Sequence, residues 1–291
     1  MSIIDNLKLT FKNGNSLIKL IYLNVAVFLL VNILLIVFRL FNMDASEYIH
    51  WLAVPSNVGN LARHFWTPVT YMFLHTGFSH ILFNMLMLFW FGRMFLAYYS
   101  EKQLLSLYLL GGLGAALVYV AAYNIFPYYS AVAYYSVLMG ASGSIMAIVV
   151  ATAVRAPNAE MNLLLIGRVK LIYIALATVL ISVFSLTGKN GGGEMAHLGG
   201  ALTGYLFVIF DKKGTDITLF ITRVLDFFVN LFRPKPQLKA TKFNAQRMSP
   251  EEYNQNKART EAEIDRILDK IKTSGYESLN AEEKRKLFEK K

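Results

Sequence analysis

The 291-residue sequence predicts an all-α, polytopic membrane protein: a bundle of six transmembrane helices followed by a small soluble helical tail. Hydrophobic residues make up 55% of the chain and charged ones only 16%, against about a quarter in ordinary soluble domains. The charges are also segregated, with 17 in the first 210 residues and 31 in the last 81. Within the poor half lie several apolar stretches of about 20 residues, the length that crosses roughly 30 Å of hydrocarbon. A disordered chain, a collagen and a single soluble domain are excluded.

The elements follow in order. Residues 1–19 read as a cytosolic segment carrying Lys8, Lys12 and Lys19. No small-x-small cleavage site promptly follows the apolar run, so the first span, about Leu20 to Leu40, is retained. The second span runs about Phe78 to Tyr99 and the third about Leu104 to Tyr123. The fourth, Ser142 to Arg155, is 14 residues and reaches only about 21 Å. It cannot cross alone, so Asn124 to Ala141 is expected to be a loop descending into the protein, since lipid tolerates no bare loop. The fifth span runs about Val169 to Leu186 and the sixth about Ala196 to Phe210.

Beyond the six-span body, 20–210, Ile217, Phe220, Ile221, Val224, Phe228, Leu231 and Phe232 form a helical stripe beside Arg223, Asp226 and Arg233. This predicts an interfacial helix and linker over 211–237, ended by Pro234 and Pro236. In the cytosolic tail, 238–291, Ser249-Pro250-Glu251-Glu252 is a capping box, Gly275 closes its helix, and Asn280 with Glu283 opens a second one.

Ten Lys and Arg residues of the body and its flanks fall on one side of the spans and three on the other, Arg39, Arg63 and Lys189. The positive side faces the cytosol, which places both termini there in a multi-pass protein of the cell (inner) membrane. The net charge of +10 is then a topology signal, and no nucleic-acid partner is expected. Cysteine is absent, which removes disulfides, thiol nucleophiles and thiolate metal sites.

Candidate chemistry sits on three spans. His75, His80 and Asn84 belong to HTGFSHILFN, and His80 and Asn84, four residues apart, share a helix face. Polar groups inside a membrane point into the bundle, where this pair suits either interhelical hydrogen bonding or donation to a reacting carbonyl oxygen. The fourth span opens on Gly140-Ala141-Ser142-Gly143. A serine at a helix start is ordinarily an N-cap. Inside the bundle, though, a helix N-terminus also offers free N–H groups and a positive dipole end to a developing oxyanion.

Gly143, Ala147 and Ala151 repeat every four residues, and His197, Gly200 and Gly204 share a face of the sixth span. Two smooth faces in contact would bring Ser142 and His197 together, and imidazole could take the serine proton. The body's two aspartates, Asp5 and Asp44, lie outside the spans, which excludes an aspartyl intramembrane protease. No HExxH is present, no metal site or cofactor is expected, and with no intramembrane acid expected near His197 the pair reads as a dyad.

These residues resemble the rhomboid family of intramembrane serine proteases over about 20–210, through His75-x4-His80-x3-Asn84, GASG at 140–143 and Ala196-His197-x2-Gly200-x3-Gly204. The resemblance implies a six-span rhomboid-like bundle with Ser142 as nucleophile and His197 as general base. It also implies an oxyanion hole of His80, Asn84 and the Ser142 N–H, with Gly140, Gly143, Gly200 and Gly204 supporting helix packing. Transmembrane proteins in the lipid bilayer are the implied substrates. Thr187 to Glu194 looks like a cap loop, and the start of the fifth span like a lateral gate. The tail resembles the module on rhomboids of the Bacteroidetes type. The sequence departs from the family pattern in two places: Thr67 follows Trp66, and Met146 stands where many members carry an aromatic residue. The alternative function is a catalytically inactive rhomboid-like binder or chaperone of transmembrane helices.

Overall fold

The structure, a computed structural model, describes residues 3–44, 46–163, 167–232 and 249–288. It divides into two compact units, Met1–Arg233 and Pro234–Lys291. The first contains a helical bundle of α1 (Ser16–Leu40), α2 (Phe78–Phe95), α3 (Glu101–Ile125), α4 (Ser142–Arg155), α5 (Leu171–Phe184) and α6 (Gly191–Lys212). On length and composition alone, α1, α2 and α3 are each able to cross a membrane. The chain is an integral membrane protein, and large apolar side chains on its periphery, such as Leu30 and Ile33 of α1 and Ile181 and Phe184 of α5, are exposed.

The core is a trio of helices packed through small residues. Every residue of α4 from Gly143 to Ala153 is buried, as expected of a helix apolar on all faces. A Cβ placed on Gly200 would collide with the Gly143 carbonyl oxygen, and one on Gly204 with that of Ala147. From the third side, Gly111 faces Ala147, and Gly114 faces Thr203 and the backbone at Gly199. The three backbones therefore approach as closely as small residues allow, the usual basis of helix association where no hydrophobic effect operates. Sequence reading found two of these faces and overlooked the third, in the run Gly111 to Ala116 of α3.

Two small strand pairs interrupt the all-helical pattern. β1 (Val54–Pro55) pairs antiparallel with β2 (Val137–Leu138), tying the first loop to the segment that leads into α4. β3 (Glu160–Leu163) pairs with β4 (Gly167–Lys170) between α4 and α5. Val169, expected to begin the fifth span, therefore lies opposite Met161 in a ladder, and the helix starts at Leu171. The loop before α4 also differs from expectation. Most of residues 124–135 are exposed, with Pro127–Ser130 helical and Tyr129 buried, and only 138–141 enter the interior.

After the bundle, α7 (Leu219–Phe232) holds to α3 by a Lys102–Asp226 ion pair of 2.8 Å and a Ser106–Thr222 hydroxyl contact of 2.8 Å. Phe220, Phe227, Phe228 and Leu231 are exposed along it. Arg233, Pro234, Pro236 and the linker lie outside the described residues. In the second unit, α8 (Pro250–Ser274) begins with a closed capping box. Glu252 N–H donates to Ser249 Oγ (3.1 Å) and Ser249 N–H to Glu252 Oε2 (3.0 Å). Gly275 follows α8 at φ +77°. The start of α9 (Ala281–Phe288) is fastened by the same reciprocal bonds between Asn280 and Glu283, at 2.8 Å each.

Gly204→Val must push α4 and α6 apart, an overpacking cost of about 1–3 kcal/mol, read as a Tm lower by several degrees in detergent. Leu202→Val, on a side chain 54% exposed, is the control and leaves Tm within about a degree. Equal Tm values for the two variants would show that the backbones do not meet at Gly204.

Candidate functional site

A cavity of about 920 Å³ opens among α2, α3, α4, α5 and α6, and Ser142, His197, His80 and Asn84 all line it. These four came from three separate motifs, and the fold gathers them within the first two turns of their helices. Met146 lies on the same wall, one turn along α4 from Ser142. The packing glycines Gly143, Gly200 and Gly204 lie behind this wall, in the contacts between α4, α3 and α6 described above.

The approach to Ser142 is set by a series of backbone bonds. Gly140 N–H donates to the Tyr71 carbonyl at 2.9 Å. The next N–H, that of Ala141, donates to His75 Nε2 at 3.3 Å. His75 is fully buried, and its Nδ1 lies 3.3 Å from the Phe73 carbonyl oxygen. With Nδ1 donating to that carbonyl, Nε2 keeps the lone pair that accepts the Ala141 bond. His75 thus holds the loop rather than facing the cavity.

Gly140 has φ +113°, and a Cβ there would lie 2.6 Å from His80 Cε1. Only glycine permits both this backbone and the close packing of the His80 ring. The His75 and His80 rings meet edge to face with centroids 5.0 Å apart. Among the described residues no group of three His, Cys, Asp or Glu side chains is gathered in a way that could hold a metal ion.

Ala141 is the N-cap of α4 and makes no side-chain capping bond, so Ser142 is the first helical residue and not the cap. The first N–H groups of a helix have no partner within it. Those of α4 begin at the serine, where the helix dipole is positive. Asn84 is nearly buried and donates one amide hydrogen to the His80 carbonyl at 2.8 Å. Among the described residues its second amide hydrogen has no partner.

His197 engages its neighbours through Nδ1, which lies 3.0 Å from Glu194 Oε2 and 3.3 Å from Ser182 Oγ. Among the described residues neither Ser142 Oγ nor His197 Nε2 has a hydrogen-bond partner, and in unliganded sites such bonds often tighten only on binding. The expectation that no acid lies near His197 is corrected here. Glu194 stands one turn before it, and the i, i+3 spacing that puts both on one helix face was readable in the sequence.

Glu194 was assigned to a cap loop, but α6 begins at Gly191 and takes in 191–194. Gly191 and Gly192 sit where a side chain would strike the Leu186 carbonyl or the Tyr123 ring. Ser182, the other partner, comes from the C-terminal end of α5, which lines the cavity through Thr178, Ile181 and Ser182. The start of α5, suggested as a gate, does not line it.

Gly140→Ala should slow labelling of Ser142 by a fluorophosphonate about tenfold, because the new methyl displaces the His80 ring and strains the backbone by about 1–3 kcal/mol. Wild-type labelling would show that the placement of His80 has no bearing on the serine.

Residues 62–213 match a family model described as the Rhomboid domain, which covers about half of the chain. Residues 250–290 match a second model, a family of unknown function (DUF6576). The chain is 29% identical over 160 residues to "Rhomboid protease AarA" of Providencia stuartii, a match covering 52% of this chain and 57% of that relative. The chain therefore spans less than two thirds of the relative's length.

Proposed function

The chain belongs to the rhomboid family, and from that premise we propose that it is an intramembrane serine endopeptidase that hydrolyses peptide bonds in or near transmembrane segments of membrane proteins. The observation that carries this reading is that Ser142 and His197 line one cavity while their helices touch backbone to backbone at Gly143 and Gly200.

In this reading Ser142 Oγ attacks the scissile carbonyl carbon as its proton passes to His197 Nε2. The imidazolium then returns that proton to the leaving amine, and water, activated by the same nitrogen, releases the acyl group from Ser142. The oxyanion forms beside the N–H of Ser142 at the α4 N-terminus, with His80 and Asn84 as further donors. The need for water at the serine is met by a site at the helix ends. Proposed with it are a cell (inner) membrane location and cytosolic termini, supported by the ten-to-three bias of Lys and Arg. The same holds for the division into 1–19, a catalytic 20–210, an interfacial 211–237 and a cytosolic tail 238–291.

Ser142→Ala and His197→Ala should each lower cleavage of a model transmembrane substrate in proteoliposomes by on the order of 10⁴-fold or more, with folding intact. Cleavage near the wild-type rate in either variant rejects the pair. A folded wild-type protein that binds transmembrane helices yet neither cleaves them nor takes the fluorophosphonate would be a binder instead.

Asn84→Ala should lower kcat by about 10²–10³ with KM little changed, as for a donor that acts in the transition state. A raised KM at constant kcat would place Asn84 in substrate docking.

A further inference from the structure

Resting on the serine–histidine reading above, we propose that the Glu194 carboxylate is a positioning residue for His197, fixing the imidazole so that Nε2 is the basic nitrogen presented to Ser142. Glu194 Oε2 lies 3.0 Å from His197 Nδ1, and the two side chains are only 16% and 22% exposed. Glu194 is also the sole carboxylate among the described residues that line the cavity.

An ionised carboxylate only accepts hydrogen bonds. Nδ1 must therefore carry the hydrogen, which leaves the lone pair of the neutral ring on Nε2. Ser182 Oγ, at 3.3 Å from the same Nδ1, comes from α5 and borders the same ring nitrogen. A hydroxyl both donates and accepts, so Ser182 alone would permit either tautomer. The carboxylate selects one.

Its charge also offsets the imidazolium that forms when the Ser142 proton moves to Nε2. The carboxylate takes up no proton. The Nδ1 hydrogen stays on the ring throughout, and the proton gained at Nε2 leaves with the amine.

The alternative role for Glu194 is local. It is an acid in the first turn of α6, and such an acid stabilises a helix start through the dipole. That role would show in Tm and would leave the reactivity of folded protein unchanged.

The test uses the full chain in detergent micelles with two readouts: kcat and KM on a model transmembrane substrate, and the rate at which a fluorophosphonate labels Ser142. Glu194→Ala is expected to lower both kcat and the labelling rate by about 10–100-fold, with KM within about twofold and Tm within a few degrees of wild type. Glu194→Gln keeps an acceptor and loses the charge, so it is expected to fall between Glu194→Ala and wild type. Glu194→Asp restores the charge and part of the rate. Ser182→Ala removes the second neighbour of Nδ1 and is expected to lower both rates, by less than Glu194→Ala does.

The proposal is overturned by labelling within twofold of wild type in Glu194→Ala. It is equally overturned by a raised KM at constant kcat, or by loss that tracks the unfolded fraction alone. A larger loss in Ser182→Ala than in Glu194→Ala would assign the positioning to the hydroxyl instead. Should wild type itself fail to cleave or label, or Ser142→Ala retain activity, the serine–histidine reading fails first, and that result is distinct from an active wild type with active Glu194 variants.

Discussion

Most of the structure depends on the backbones of α4 and α6 lying close enough that a single carbon added at Gly200 or Gly204 would strike a carbonyl oxygen of α4. In a membrane, lipid tails surround apolar side chains as well as other side chains do, so helices gain from meeting only where they pack more closely than lipid can. Glycine and alanine supply that closeness on α4 and α6, and Gly111 and Gly114 extend it to α3. The positions of Ser142 and His197 follow from the contact, because each lies within one turn of a glycine or of the residue that meets it.

A second consequence concerns α4. At 14 residues it is too short to span the hydrocarbon, yet it is buried along nearly its whole length. Its N-terminus therefore opens inside the protein, at the wall of the cavity, with the first N–H groups and the positive dipole end of the helix there. On the way to that point two successive backbone N–H groups find partners. Gly140 and Ala141 donate to the Tyr71 carbonyl and the His75 ring, and the short β1–β2 pair anchors the loop above them.

The first turn of α6 shows how packing overrides local preference. Three glycines in succession, Gly191 to Gly193, each disfavour a helix by about 1 kcal/mol relative to alanine. The turn is nonetheless helical. Gly191 and Gly192 let the preceding turn and the Tyr123 ring approach where any side chain would block them. Because the helix starts there, Glu194 falls one turn from His197 and their side chains meet.

Composition and periodicity alone determined that this is a helical membrane bundle with a polar tail, because apolar length and charge segregation are properties of the linear chain. The spacing of small residues likewise made the α4 and α6 faces legible, and the capping residues placed the starts of α8 and α9. Only the tertiary structure decided that Val169 joins a strand, that the chain enters the interior at 138–141 and not from 124, and that Glu194 reaches His197. Each of these depends on which distant backbone or ring lies alongside. Local propensity carries no information about such neighbours, and where it disagreed with them, as at the glycines of α6, close packing prevailed.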